Sequence, residues 1–221
     1  MSDAVTISEF YAAEGLEDWR VLSDGACACF RTRSFAEAVR FVQAIGAIAG
    51  VEGHPPDVDL RPHGVTVRLV TLTDAHMGMT TQDIAIARDV SAAARTLGLE
   101  AVPSALQSVL VVPGASVIAE VVPFWRALLG YEPRLDSPLE DLVDPHGRGP
   151  AFWFEQMEEL RPDGGGAVHI AVWLPREEAE ARVTAALAAG GRLVRDFAPS
   201  WWTLADAAGN EADISTAHGR D

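Results

Sequence analysis

Between residues 106 and 215 one order of apolar runs and turns occurs twice, and a chain that repeats itself on this scale has few folds open to it. Strand-like residues 109–112 lead to a helical run containing Pro123-Phe124-Trp125-Arg126-Ala127-Leu128-Leu129-Gly130-Tyr131, then strand material through Asp144 and a strand over 151–156. After Gly164-Gly165-Gly166 the order returns: a strand over 168–174, a helix over 176–189, the segment Gly190-Gly191-Arg192-Leu193-Val194, then strands over 201–206 and 211–215. Two β-α-β-β-β copies of about 50 residues each make an internal duplication. The triple glycine is a flexible linker between them and not a phosphate loop, because no Lys-Ser/Thr pair follows it.

Residues 1–102 read differently. A strand is expected over 26–32, and Ser34 with Glu37 three residues on has capping-box spacing. The helix that follows would bury Phe35, Val39, Val42 and Ile45, which recur at helical intervals. Strands over 57–61 and 65–71 alternate apolar and polar residues, as a sheet covered on one face requires. Thr80 or Thr81 caps the next helix, with Ile84, Ala87, Val90 and Ala94 as its buried stripe and Gly98 as its stop. Trp19 is a packing residue. The expected fold class is α+β: an antiparallel sheet with helices on one face over 1–102, followed over 103–221 by the duplicated βαβββ domain. The 221 residues of the chain are enough for two cores without disulfides.

The formal net charge is -15, and all 17 basic residues are arginine. That acidity argues against nucleic acid or an anionic membrane surface as partner, since phosphate neutralisation needs a basic patch. Cys27 and Cys29, two residues apart in a strand, hold their side chains too far apart for a mutual disulfide, which suits a reducing cytoplasm. No apolar run approaches membrane-spanning length, and residues 1–18 carry acidic residues where a signal peptide has a basic region.

Half of the six histidines fall between Glu52 and Asp83: His54 in a Pro-rich turn, His63 in the turn Pro62-His63-Gly64, and His76 in the loop after the second strand. Imidazoles titrate near neutrality, so three gathered at strand ends would suit proton transfer on a small substrate, with Asp57 orienting one of them. The competing reading is three solvated turn residues.

The residues His54-Pro55-Pro56-Asp57-Val58-Asp59-Leu60-Arg61, the strand over 65–70 and Gly78-Met79-Thr80-x-x-Asp83 resemble the core of the pterin-4a-carbinolamine dehydratase family. That family carries a His-His-Pro-(Asp/Glu) turn, a strand ending in Thr-His and a Gly-Gly-Leu-Thr-x-x-Asp helix start. Gly15-Leu16-x-x-Trp19 and the helix with Phe35, Phe41 and Val42 fit its opening, so the resemblance spans residues 5–100. It implies loss of water from a pterin carbinolamine, with imidazoles acting as acid and base. In this alignment His54 matches the first family histidine, Pro55 stands where the second belongs, and Leu72 where the strand-end histidine belongs. The implied site is therefore eroded, with His63 and His76 as displaced imidazoles.

Phe124-Trp125-x-x-x-Leu129-Gly130-Tyr131, His169 at the head of its strand and Asp206-x-x-Gly209-Asn210-Glu211 resemble the vicinal-oxygen-chelate superfamily, in its glyoxalase and bleomycin-resistance form, over residues 105–217. The resemblance implies a divalent metal in a cup of strands, at positions that fall on Leu110, on Glu155 or Gln156, on His169 and on Asp213. Leucine cannot ligate a metal, and Gln107 reaches the first position only in a shifted register, so no metal is expected and His169, Asp213 and Glu155 stay weak candidates. His169 and Asp213 also read as a hydrogen-bonded pair. Trp153, Phe154, Trp173, Trp201 and Trp202 would supply an aromatic wall for a flat ligand, with one of the adjacent pair Trp201 and Trp202 facing the cup. Arg148, in the charged hairpin 139–149, could hold an acidic group at the mouth.

Two functions follow. The first is a small-molecule lyase using His54, His63, His76 and Asp57, with a pterin as substrate and no cofactor. The second is a metal-free cup using Trp153, His169, Trp173, Trp201, Trp202 and Asp213 to bind or convert a planar metabolite or antibiotic, with residues 1–102 as scaffold. Either takes a small molecule as partner, and a homodimer stays open.

Overall fold

The computed structural model describes residues 4–23, 25–157, 168–205 and 211–219. The Gly164-Gly165-Gly166 linker and the segment Asp206-x-x-Gly209-Asn210 lie outside the described residues. The chain divides into two compact units, with the main break between Leu106 and Gln107.

The first unit opens with β1 (Ala4–Val5) and α1 (Ile7–Ala12), followed by β2 (Arg20–Leu22), β3 (Gly25–Arg31) and α2 (Phe35–Gly46). A hairpin of β4 (Asp57–Arg61) and β5 (Gly64–Leu69) comes next, then a second hairpin of β6 (Thr71–Leu72) and β7 (Met77–Thr80), α3 (Thr81–Thr96) and β8 (Glu100–Ala101). One antiparallel sheet runs β2-β3-β5-β4 with β8 also on β3, and a smaller one runs β1-β7-β6. The larger is held in register by alternation: Val65, Val67 and Leu69 of β5 are buried while the residues between them are half-buried. Trp19, Phe10, Phe30 and Phe41 have no more than 1% exposure, and Phe30 meets Phe41 edge to face at 5.1 Å. Trp19 also donates its indole N–H to Ala87 O and Ser91 Oγ, both at 3.1 Å, so its polar edge is buried with partners.

The stripe of α2 is rotated from the expected one. Ser34 caps the helix, accepting from Glu37 N at 3.2 Å, but Phe35 is 58% exposed, Val39 and Val42 are half-buried, and Glu37, Ala38, Phe41 and Ile45 face inward. The reason is the Glu37 carboxylate, which accepts from Arg33 N at 2.7 Å and pairs with the Arg33 guanidinium. These bonds hold its pKa down to about 2. In α3, Ile86 takes the inward position expected for Ile84. Its end is a Schellman motif: Gly98 N bonds Arg95 O and Leu99 N bonds Ala94 O, both at 3.0 Å, with Gly98 at φ 67°.

The second unit contains β9 (Ser108–Ala115), α4 (Ile118–Leu129), β10 (Glu132–Arg134), β11 (Ser137–Val143), β12 (Ala151–Trp153) and β13 (Glu155–Gln156). It continues with β14 (Val168–Trp173), α5 (Arg176–Ala188), β15 (Arg192–Phe197), β16 (Trp201–Ala205) and β17 (Glu211–Ser215). The sheet order is β10-β11-β12-β9-β14-β17-β16-β15, with β13 also on β9. On either side of the antiparallel β9·β14 pair the central strand has a parallel neighbour, β12 or β17, and antiparallel strands beyond it. The helix-facing side is apolar: Leu142, Phe152 and Phe154 pack with Trp125 and Tyr131 in one cluster, and Trp202, Leu204 and Ile214 with Leu174, Ala179 and Val183 in another. In the 139–149 hairpin, Asp144 accepts from the backbone N–H of His146, Arg148 and Gly149, each at 2.9 Å.

Candidate functional site

The Asp83 side chain is the hub of the first unit's polar corner. It sits in the first turn of α3 with no exposure, and its Oδ2 accepts from Thr80 N at 2.7 Å, Thr80 Oγ1 at 2.8 Å and Thr71 Oγ1 at 2.8 Å. Three donors on one oxygen call for an ionised acceptor. The other oxygen, Oδ1, lies 2.6 Å from His54 Nε2. With Asp83 ionised, Nε2 carries the hydrogen and donates it, which assigns the tautomer and fixes the ring. Nδ1 of His54 has no hydrogen bond among the described residues and is the atom left to exchange a proton. The side chain of His54 is 18% exposed, enough for a substrate to touch it.

His76 lies in the turn between β6 and β7, and its ring packs on the α-carbon of Gly78: a Cβ there would stand 3.0 Å from its Cε1. Gly78 is paired across the hairpin with Thr71, which bonds Asp83. His54, Asp83, Thr71 and His76 thus belong to one corner. His63 does not. The register pairs Asp57 with Arg68 at one end of the β4–β5 hairpin and Arg61 with Gly64 at the other, so the turn holding His63 is four residue steps, roughly 13 Å, from the Asp57 end. It is exposed there. Asp57 is a second correction: it is exposed and accepts from Arg68 Nε at 3.0 Å, and the orienting carboxylate is Asp83. Sequence reasoning saw Asp83 only as part of a helix start; a cap acid in the third helical position, after a threonine, was the available signal.

In the second unit, Trp202 is 6% exposed within the cluster under α5, so Trp201, on the opposite face, is the one turned away from the helices. Trp201 stacks on Phe197 with centroids 4.4 Å apart. On this side Trp173 and Trp201 both pair with Ser215, and Ala171 and Thr203 both pair with Asp213. His169 Nε2 lies 3.5 Å from Asp213 Oδ2, with side chains 17% and 19% exposed. Asp213 raises the His169 pKa by hydrogen bond and charge, against burial, with Glu155 and Glu211 adding to the shift. Burial alone would raise Asp213; bonds from His169 and Thr203 and the charges of His169 and Arg195 outweigh it, and its pKa falls. Trp153 is 38% exposed on β12, opposite Asp141, and Phe154 is buried on the helix side.

The donors present do not fit a metal. Leu110 stands opposite Ala171 in the sheet, Gln107 accepts from Arg182 at 3.1 Å, and Gln156 donates to Ser116 O at 2.8 Å. Among the described residues no three His, Cys, Asp or Glu side chains stand close enough to hold an ion. Arg148 is exposed in the hairpin turn.

The first unit is thus a small α+β domain with a carboxylate-held imidazole at the rim of its antiparallel sheets. Residues 3–93 match the family described as pterin 4 alpha carbinolamine dehydratase, and through this unit the chain belongs to that family. A Chloroflexus aurantiacus protein provisionally named as a pterin-4-alpha-carbinolamine dehydratase is 34% identical over 84 residues, covering 37% of this chain and 88% of its own. One from Nocardia farcinica with the same provisional name is 33% identical, covering 38% and 86%. Residues 108–215 match the family described as glyoxalase-like domain, so the chain joins the two. Among solved structures, an NAD-dependent benzaldehyde dehydrogenase from Legionella pneumophila aligns with 49% of this chain and 97% of its own at 14% identity and TM-score 0.37. A glyoxalase/bleomycin resistance protein/dioxygenase superfamily member from Vibrio splendidus aligns with 50% and 99% at 17% identity and TM-score 0.33. Scores this low define neither fold nor chemistry. No helix among the described residues is long and apolar enough to cross a membrane.

Proposed function

We propose that the first unit is a hydro-lyase that removes water from a carbinolamine on a pterin-like ring, with His54 as proton carrier and Asp83 as its positioning residue. The observation that supports this most is the 2.6 Å contact between His54 Nε2 and a fully buried carboxylate fixed by three further donors. Loss of water needs one proton taken from the ring N–H and one given to the hydroxyl. The nitrogen's electron pair forms C=N as the C–O bond breaks. His54 Nδ1 can accept the first proton and return it to the departing hydroxyl, and His76, across Thr71, is a second carrier for the same exchange. The reaction is redox-neutral and balanced in protons, so it calls for no cofactor. This keeps His54 and His76 from the histidines first considered and drops His63 and Asp57.

In the same reading residues 103–221 are a duplicated βαβββ domain of the chelate superfamily, supported by the equivalent strand pairing on either side of β9·β14. A cytoplasmic protein is supported by two free cysteines, Cys27 and Cys29. The test is dehydration of a pterin carbinolamine by the full chain, followed as formation of the C=N product. A rate above background that disappears in His54→Ala is expected; no rate above background overturns the reading.

A further inference from the structure

The β6–β7 hairpin has two faces, and one residue pair fixes which of them carries the polar corner. Thr71 and Gly78 stand directly opposite each other, so the Thr71 side chain and the open side of the Gly78 α-carbon share a face. Leu72 and Met77, the neighbouring pair, point to the other by alternation. On the first face Thr71 donates its hydroxyl hydrogen to Asp83 Oδ2, and Asp83 Oδ1 holds His54. The open side of Gly78 is taken by His76. A Cβ built on Gly78 would lie 3.0 Å from Cε1, 3.2 Å from Nε2 and 4.0 Å from Nδ1 of that ring, and outside the adjacent residues these are the three heavy atoms nearest to it. Opposed β-carbons in an antiparallel pair are about 5 Å apart, so the ring comes within roughly 8 Å of the Thr71 β-carbon, on the face that carries Asp83. The backbone does not itself demand glycine here, because Gly78 lies in a strand and is not among the glycines of positive φ. What a side chain would disturb is the imidazole.

We propose that Gly78 is a positioning residue for the dehydration, a seat whose missing side chain lets the His76 ring lie on the same face of the hairpin as Thr71, Asp83 and His54. The inference rests on the lyase reading of that corner. His54 keeps its Nε2 hydrogen on Asp83 and takes the proton of the ring N–H through Nδ1. His76, held over Gly78, gives a proton to the hydroxyl; the C–O bond breaks, C=N forms and water leaves. One proton is taken and one given, and the site is reset when the proton on His54 passes through solvent to His76.

The test is a double-mutant cycle on dehydration of a pterin carbinolamine by the full chain, with folding followed by the urea midpoint. Gly78→Ala is expected to lower kcat roughly tenfold with KM unchanged, as a misplaced proton carrier does, and to lose the same limb of the pH–rate profile as His76→Ala. In the His76→Ala background the added methyl meets no ring, so Gly78→Ala is expected to cost no further rate. A fall of equal size in both backgrounds overturns the proposal, because the glycine would then serve the backbone. Full rate in Gly78→Ala or in His76→Ala overturns it too. Should Gly78→Ala unfold, the natural protein gives the second readout: a nuclear Overhauser contact between the His76 Cε1 proton and the Gly78 α-protons is expected, and its absence overturns the seat. A His54-dependent rate that ignores Gly78→Ala sinks this inference alone, whereas no rate in the natural protein sinks the lyase reading and this inference with it.

Discussion

Each unit places a histidine beside an aspartate, and the two pairs are built to different tolerances. In the first, Asp83 is fully buried, accepts three bonds from Thr71 and Thr80, and meets His54 at 2.6 Å. In the second, Asp213 is 19% exposed and stands 3.5 Å from His169, a longer contact. A carboxylate over-determined by backbone and hydroxyl donors holds its partner in one orientation, as proton transfer requires. One held by an imidazole at longer reach and one threonine hydroxyl fixes its partner less tightly. The contrast teaches that a His-Asp pair is read by what fixes the acid, not by the pair alone.

The sharpest way to break the comparison is at the first pair. His54→Ala is expected to lower dehydration by about 10²–10⁴-fold, while His169→Ala leaves it unchanged, both read from the rate of product formation. Asp83→Asn should lower the rate as well and also cost stability, about 1–3 kcal/mol, because Thr71 and Thr80 lose a charged acceptor; urea unfolding measures it. A structural control in the second unit is Gly149→Ala. The new Cβ would lie 1.8 Å from Tyr131 Oη, so the hairpin must move, at about 1–3 kcal/mol seen in the denaturation midpoint.

A smaller effect separates the units by pH. His169 sits above its ordinary value of 6.5, so its contribution is complete below that value and fades as pH rises through the raised one. The stability difference between the natural protein and His169→Asn should shrink over that alkaline range. Glu37, at about 2 against 4.5, behaves oppositely: its contribution is complete above 4.5 and fades as pH falls toward 2. A Glu37→Gln comparison, followed through Trp19, the first unit's sole tryptophan, would show the acid-side change alone. The smallest effect is that of His63→Ala, for which unchanged rate and midpoint are expected; a loss in rate would bring the hairpin turn back into the site.

Much of the fold was legible because its signals are local. Ser34, Thr80 and Gly98 mark helix ends by their own chemistry, and the second half's order of strands and helices follows from periodicity. The alternation rule also settled that Trp201 and Trp202 part company, though only packing under α5 decided which went where. What stayed hidden depends on partners distant in sequence. Asp57 and Asp83 are equally acidic in the sequence, and only the strand register, which gives Arg68 to one and His54 to the other, tells them apart. Phe35 looked like core because periodicity cannot foresee a glutamate folded back onto the Arg33 backbone N–H. His63 looked like a site residue because closeness along the chain says nothing about which end of a hairpin a turn occupies.

Asp83 serves two masters. The same carboxylate closes the start of α3 and steadies the imidazole, so selection for a folded domain preserves it whether or not any turnover remains. Its survival in a descendant sequence is therefore poor testimony to catalysis. The histidine, which the helix can do without, is the more honest witness.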